Sequence, residues 1–266
     1  MSAIILESSE FAYLLAMVNA ESIPGIHDPT LFPSDIRSRD STFTRGFQLL
    51  KENGWIKPAG KPSQFDFNEM LLLMAAIIAD PEFVVFTIRL TKRAEKHVMM
   101  HFMEGSDIVE LVATNDDKYH IGIVPDTSDL YDRIKNALGI SDSEPQLQIK
   151  FFTDEMHFEE IKSLISRGYD SQAAQMLEQL GLGNISIKSL TGALSKAHWG
   201  EIIVMKTTEG ELLTGRKANL FHGDDCSWLT RRLNVTTTKM SVEMVQEDTI
   251  SSFLDSSFSN LNNSYG

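Results

Sequence analysis

The densest gathering of chemically able side chains is FHGDDCSW, residues 221–228, which brings together His222, Asp224, Asp225, Cys226 and Ser227. A nucleophile with a base and an acid beside it is the stock of covalent catalysis. Working triads, however, converge from separate elements, and the Gly and Asp of HGDD favour a turn. The stretch therefore reads as a hairpin connector. Cys226 has no basic run beside it to activate the thiol, and a lone cysteine behaves as a small buried hydrophobe. His97 and His101 have the four-residue spacing of a helical metal pair. The local period is two, so they belong to a strand and stand ~13 Å apart, too far to share an ion; an exposed strand face is expected for them. The chain has no GxGxxG, and EGELLTGRKAN lacks the GxxxxGK[ST] spacing of a phosphate loop. No catalytic residue, metal or cofactor is expected, and the chain reads as a binding protein. TKRAEK (91–96) is the densest basic run. At a hairpin tip it is either a solvated turn or a recognition loop.

Composition narrows the partners. With 24 Lys and Arg against 37 Asp and Glu, the formal charge is −13, and both halves of the chain are acidic. Nucleic-acid affinity rests largely on cation–phosphate contacts, so this balance argues against a nucleic-acid partner. One cysteine rules out an intrachain disulfide. The longest apolar run, MLLLMAAII (70–78), is too short for a membrane span. MSAIILESSE has neither the basic region nor the cleavage site of a signal peptide, and a cytoplasmic location is the expectation.

The elements fall in two similar series. AIILES suggests a strand, followed by a helix capped at Ser8 or Ser9. SDIRSRDSTFTRGFQLLKENG holds one or two helices, and QFDFNEMLLLMAAIIADP another, with Asp66 as its cap and Pro81 as its stop. Four strands follow at 82–91, 96–104, 107–114 and 118–124, joined by hairpin-length connectors. A helix then starts at Asp126 or Thr127 and ends at Gly139. After a polar connector, QLQIKFF (146–152) is a strand and 153–197 holds three helices. Strands are expected at 199–207, 211–221, 226–232 and 239–245. A helix over 247–258 and a frayed polar tail close the series. Met70, Met74, Met99, Met100, Met156 and Met176 read as core fillers, the last two with a partner groove as the alternative.

Each half runs strand, helices, four-strand meander, helix, and IGIVPDTSDLYDRI rhymes with VEMVQEDTISSFLD. This suggests an internal duplication, although α+β chains also alternate helices and meanders without one. The expected fold class is α+β: two pseudo-symmetric repeats, 1–140 and 141–266, joined in one integrated body.

RGFQLLKENGWIKPAG (45–60) has the cadence of a winged-helix reader. A recognition helix should be followed by a two-stranded wing; here a loop into another apolar helix is expected, so the stretch reads as scaffold. It also carries a family resemblance. FQLLKENGWI, with its helix, small turn and apolar pair, and FNEMLLLMAAIIADPEFVVFTIRL, a helix running through Pro into a strand, resemble the EspG family of type VII (ESX) secretion chaperones. The two-series layout extends the resemblance over almost the whole chain.

The resemblance implies a cytoplasmic chaperone or adaptor that binds newly made helical-hairpin secretion substrates. Family contacts come from the loop joining the first two meander strands and from the second helical group. Carried over, these are Thr91, Lys92, Arg93 and Lys96, and the segment 153–197 with its connector LGLGNISI. A helical substrate with an apolar tip needs an apolar floor and a polar rim. Leu180, Leu182, Ile185 and Ile187 either form that floor or pack the connector onto the body. A winged-helix-like regulator and an interaction protein outside secretion are the alternatives. Oligomeric state is not readable from the sequence.

Overall fold

The computed structural model describes residues 3–59, 64–114, 116–140, 148–196, 199–208, 211–224, 226–234 and 236–263. The chain is α+β, with a large antiparallel sheet and helices in two groups. Two compact units are present. One comprises Met1–Val85, Met99–Leu130 and Met205–Thr214; the other comprises Phe86–Val98, Tyr131–Val204 and Gly215–Gly266.

In the first unit β1 (Ile4–Glu7) leads directly into helix α1 (Ser8–Met17). Glu7, not Ser8 or Ser9, is the N-cap. Its backbone N–H donates to Glu10 Oε2 at 2.8 Å, and the Glu7 carboxylate accepts in return, a reciprocal capping box. The Ser8 hydroxyl instead donates to the Asp117 carbonyl at 2.7 Å. A single helix α2 (Ile36–Glu52) follows, its N-terminus closed by Asp35, which accepts from the Ser38 N–H at 2.8 Å.

α1 and α2 cross at Gly46. A Cβ there would lie 2.0 Å from the Ser9 carbonyl oxygen, so only glycine permits this approach. Arg45 reaches Glu7 at 2.7 Å and Asn53 donates to Glu10 at 2.8 Å, which ties both ends of the crossing. Tyr13 sits among Phe43, Phe47 and Phe67.

The loop expected between α2 and the next helix contains a small antiparallel pair, β2 (Ile56–Pro58) and β3 (Phe65–Phe67). The alternating FDF segment is thus a strand. Asn68, not Asp66, caps α3 (Glu69–Ala79), accepting from the Leu71 N–H at 3.1 Å. A two-stranded element does therefore follow α2, contrary to the expectation. Trp55 closes the turn, donating to Leu50 O at 2.8 Å and accepting from the Asn68 N–H at 2.9 Å.

The meander comprises β4 (Phe83–Leu90), β5 (Lys96–Glu104), β6 (Asp107–Ala113) and β7 (Lys118–Val124). β1 pairs antiparallel with β7, and the strand order is β1-β7-β6-β5-β4, with residues 86–90 of β4 and 96–98 of β5 belonging to the second unit. Residues 100–103 of β5 are buried on both faces. His101 is therefore fully buried, 3.2 Å from Glu110 on β6, and not on an exposed face. Of the methionines read as core, Met74 and Met100 are buried, whereas Met70 is exposed.

In the second unit, β8 (Lys150–Asp154) leads into α5 (Glu155–Ser166), α6 (Asp170–Gln179) and α7 (Asn184–Leu194). Thr153 and Asp154 thus belong to the strand, and residues 146–147 of the expected strand lie outside the described residues. β9 (Trp199–Thr208), β10 (Glu211–His222), β11 (Ser227–Arg232) and β12 (Lys239–Met244) follow, with Met205–Thr214 of β9 and β10 belonging to the first unit, and β8 pairs antiparallel with β12. Phe151, Trp228, Met240, Val242 and Met244 on the strands pack with Phe158, Ile161, Ile165, Leu177 and Leu190 of the three helices. The last helix, α8 (Thr249–Asn263), buries Ile250, Phe253, Leu254 and Leu261. It takes in most of the tail expected to fray, because Leu261 packs inward. Among the described residues no helix is long and apolar enough to cross a membrane.

Candidate functional site

The second unit contains a cleft of about 460 Å³ lined by Arg89, Thr91, Lys92, Arg93, Glu95, Gly139, His222 and Gly223. Three segments distant in sequence form it: the β4–β5 connection, the end of α4 (Thr127–Leu138), and the end of β10.

The β4–β5 connection is a tight hairpin. The Thr91 N–H donates to Glu95 O at 3.0 Å and the Ala94 N–H donates to Thr91 O at 2.9 Å. The Thr91 hydroxyl oxygen also accepts from the Arg93 and Glu95 N–H groups, each at 3.3 Å. Ala94 takes φ 61°, the left-handed position of a type I turn with a bulge, where glycine is usual. This bonding leaves Lys92 and Arg93 projecting into solvent at the rim.

Arg89 is fixed from below. Gly139, at φ 72°, ends α4 in a Schellman motif: its N–H donates to Asn136 O and the Ile140 N–H donates to Lys135 O, both at 3.0 Å. The Ala137 carbonyl accepts from Arg89 Nη1 at 3.5 Å. The guanidinium thus lies at the negative end of the helix. A Cβ at Gly139 would come within 2.4 Å of Arg89 Cζ, so glycine opens the space that the arginine fills.

The third wall is the β10–β11 turn. The Gly223 N–H donates to Cys226 O at 2.8 Å, closing the hairpin that the sequence indicated; Asp225 lies outside the described residues. His222 Nδ1 is 3.0 Å from Ser227 Oγ, while Cys226 Sγ is 3.0 Å from Ser189 Oγ, which also accepts from Trp228 Nε1 at 3.1 Å. The histidine and the thiol thus engage different partners. Asp224 pairs with Lys196.

Electrostatically the cleft is an exception within an acidic chain. Three cations line it with one acid, Glu95, which stands 4.0 Å from His97 Nε2. Among the described residues no carboxylate forms an ion pair with Arg89, Lys92 or Arg93.

Of the residues singled out from sequence, Thr91, Lys92 and Arg93 line this cleft, and Lys96 stands exposed at the start of β5 outside the lining. The α6–α7 connector divides. Gly181, at φ 88°, ends α6 in a second Schellman motif and turns Leu182 inward. Leu182 and Ile187 are buried in the helical core and Leu180 packs against it. Only Ile185 faces solvent, 75% exposed. Met176 is half-buried against the core, but Met156, read as core, is 82% exposed at the start of α5. Sequence reasoning missed Arg89, Glu95, Gly139, His222 and Gly223 as partners in one site. The signal for Arg89 was a cation within a strand otherwise rich in apolar residues.

The fold is that of a helix-flanked meander protein with a charged hairpin tip. No protein-family model matches the chain, and no curated protein matches it by sequence. Its fold is similar to that of the Mycobacterium tuberculosis type VII secretion system chaperone EspG5, solved in complex with a PE25–PPE41 dimer. The TM-score is 0.64 at 13% identity, covering 92% of this chain and 91% of that one.

Proposed function

We propose that this protein is a non-enzymatic cytoplasmic chaperone or adaptor that binds helical-hairpin substrates of a type VII secretion system. The observation that carries the reading is the likeness of fold, along nearly the full length of both chains, to a chaperone solved with its substrate dimer. The cleft supports it independently of that likeness. A hydrogen-bonded hairpin tip presents Lys92 and Arg93 beside Arg89, and among the described residues no carboxylate is paired to them. Such a rim suits a partner carrying acidic side chains next to its apolar contact. In this reading Thr91, Lys92, Arg93 and Lys96 contact the substrate, and Ile185 supplies an apolar contact from the helical group. Leu180, Leu182 and Ile187 pack the connector onto the helical core.

Residues 1–140 and 141–266 are proposed to descend from one duplicated unit. The equivalent pairing of β1 with β7 and of β8 with β12 supports this descent. The acidic balance of the chain disfavours a nucleic-acid partner even though β2 and β3 follow α2 as a wing would.

The test is affinity isolation of the tagged protein from its host at native expression. A small helical secreted protein should co-isolate in stoichiometric amount; recovery of the protein alone would count against the reading.

A further inference from the structure

We propose that β8 pairs with β8 of a second copy, joining two chains through an antiparallel strand edge. β8 is the terminal strand of its sheet, with β12 on one side and no strand on the other among the described residues. Its hydrogen-bonding parity is fixed at both ends. The Met244 N–H donates to Ile149 O at 2.9 Å, and the Glu155 N–H donates to Thr238 O at 2.8 Å. With the register Phe152↔Ser241, the odd-numbered residues 149 to 155 therefore bond to β12. The backbone N–H and C=O of Lys150, Phe152 and Asp154 consequently point away from β12, along the open edge.

The same three side chains share one sheet face, and all are exposed. Phe152 is 56% exposed at the centre of the strand, an apolar side chain where an edge strand normally places a charge. The sequence KFFTD is complementary to itself when reversed. Antiparallel pairing centred on Phe152 sets Lys150 opposite Asp154 of the second copy, twice, and stacks the two Phe152 rings across a two-fold axis. It also satisfies about six backbone hydrogen bonds between the outward-facing groups.

Such an isologous contact closes on itself and yields a dimer with no open end. Lys150 already donates to Glu243 at 2.8 Å, and an ammonium has donors left for a second carboxylate. Met156 lies just beyond the end of the strand and extends the apolar contact. A strand of this length buries less than a standard interface, so the association is weak and depends on concentration. The proposal is independent of the chaperone reading.

The experiment is sedimentation velocity of the full chain from low to high micromolar concentration. Wild type should shift from monomer to dimer. Phe152→Glu should keep the circular-dichroism spectrum and weaken the dimer at least tenfold. Lys150→Asp should weaken it similarly, and adding Asp154→Lys should restore it, since the swapped pair is again complementary. Phe152→Cys should form a symmetric disulfide-linked dimer on oxidation. A monomer throughout the range, a dimer untouched by Phe152→Glu, or no rescue by the charge swap would overturn the proposal.

Discussion

Replacing Gly46 by alanine and replacing Gly192 by alanine are the same chemical change within a helix, and the structure gives them opposite signs. Helix propensity alone favours alanine over glycine by about 1 kcal/mol. At Gly192, in α7, an added Cβ meets nothing within 4 Å, so that gain should appear nearly whole. At Gly46 the added Cβ would lie 2.0 Å from the Ser9 carbonyl oxygen, 2.7 Å from Ser9 C and 2.9 Å from Tyr13 Cβ. An ordinary carbon–oxygen contact is about 3.3–3.6 Å, so α1 must retreat by more than ~1 Å. Ser9 O and C are helix backbone and Tyr13 Cβ is bonded directly to it, so no rotamer change can move these atoms aside. Overpacking of this kind costs about 1–3 kcal/mol, or more where the backbone itself must shift. With the upper end of that range, about 3 kcal/mol, because backbone must move, Gly46→Ala should lose about 2 kcal/mol net of propensity, and Gly192→Ala should gain up to about 1 kcal/mol. Urea denaturation of the three proteins, comparing midpoints at constant slope, measures both. A neutral or stabilising Gly46→Ala would refute the close crossing of α1 and α2. A destabilising Gly192→Ala would refute the open placement of α7.

Ala94→Gly should stabilise the protein by about 1 kcal/mol, because Ala94 holds a left-handed conformation that glycine adopts without penalty; thermal denaturation checks it. Tyr119 donates to Asp28, tying the 24–33 loop to β7. Burial alone would raise the Asp28 carboxyl, but hydrogen bonds from Tyr119 and Thr30 outweigh it and leave the carboxyl below its ordinary value. Burial, with the Asp28 charge, raises the Tyr119 phenol. A depressed carboxylate stabilises above its unfolded pKa of about 3.9, and a raised phenol below its unfolded pKa of about 10. The contact thus contributes between those limits and is lost as pH falls below the first or climbs above the second. Tyr119→Phe should cost about 1 kcal/mol at neutral pH, discounted for partial exposure, and flatten both limbs of the stability–pH profile.

How far the sequence was legible follows from where each signal lives. Strands β5 and β7 were readable to the residue because alternation and β-branched content are local. β2 and β3 were not: three residues are too few to show a period, and Pro58 argues against a strand. The alternation rule also misplaced His101. The segment MMHFM is close to a continuous apolar run, the mark of a strand covered on both faces. The α1 cap went to Glu7 because its reciprocal bond with Glu10 satisfies two backbone donors where a serine satisfies one. The basic hairpin tip was visible as TKRAEK, but the cleft was not. Arg89 meets Gly139 and His222 only through tertiary folding, and no local pattern records that convergence. Leu182 and Ile187 have the composition of a docking floor, and it took the Gly181 turn to show that they point inward.

We propose that the cationic hairpin cleft holds a helical secretion substrate. The most direct measurement is co-isolation of the tagged chain with such a substrate, identified by mass, beside a Lys92→Glu/Arg93→Glu variant of unchanged stability. Both side chains are exposed, so the variant should fold as wild type does. Wild type should form a stoichiometric complex and the variant should lose at least tenfold, since reversed charges at a complementary rim repel. Equal recovery of substrate by both proteins, or no helical substrate with either, would contradict it.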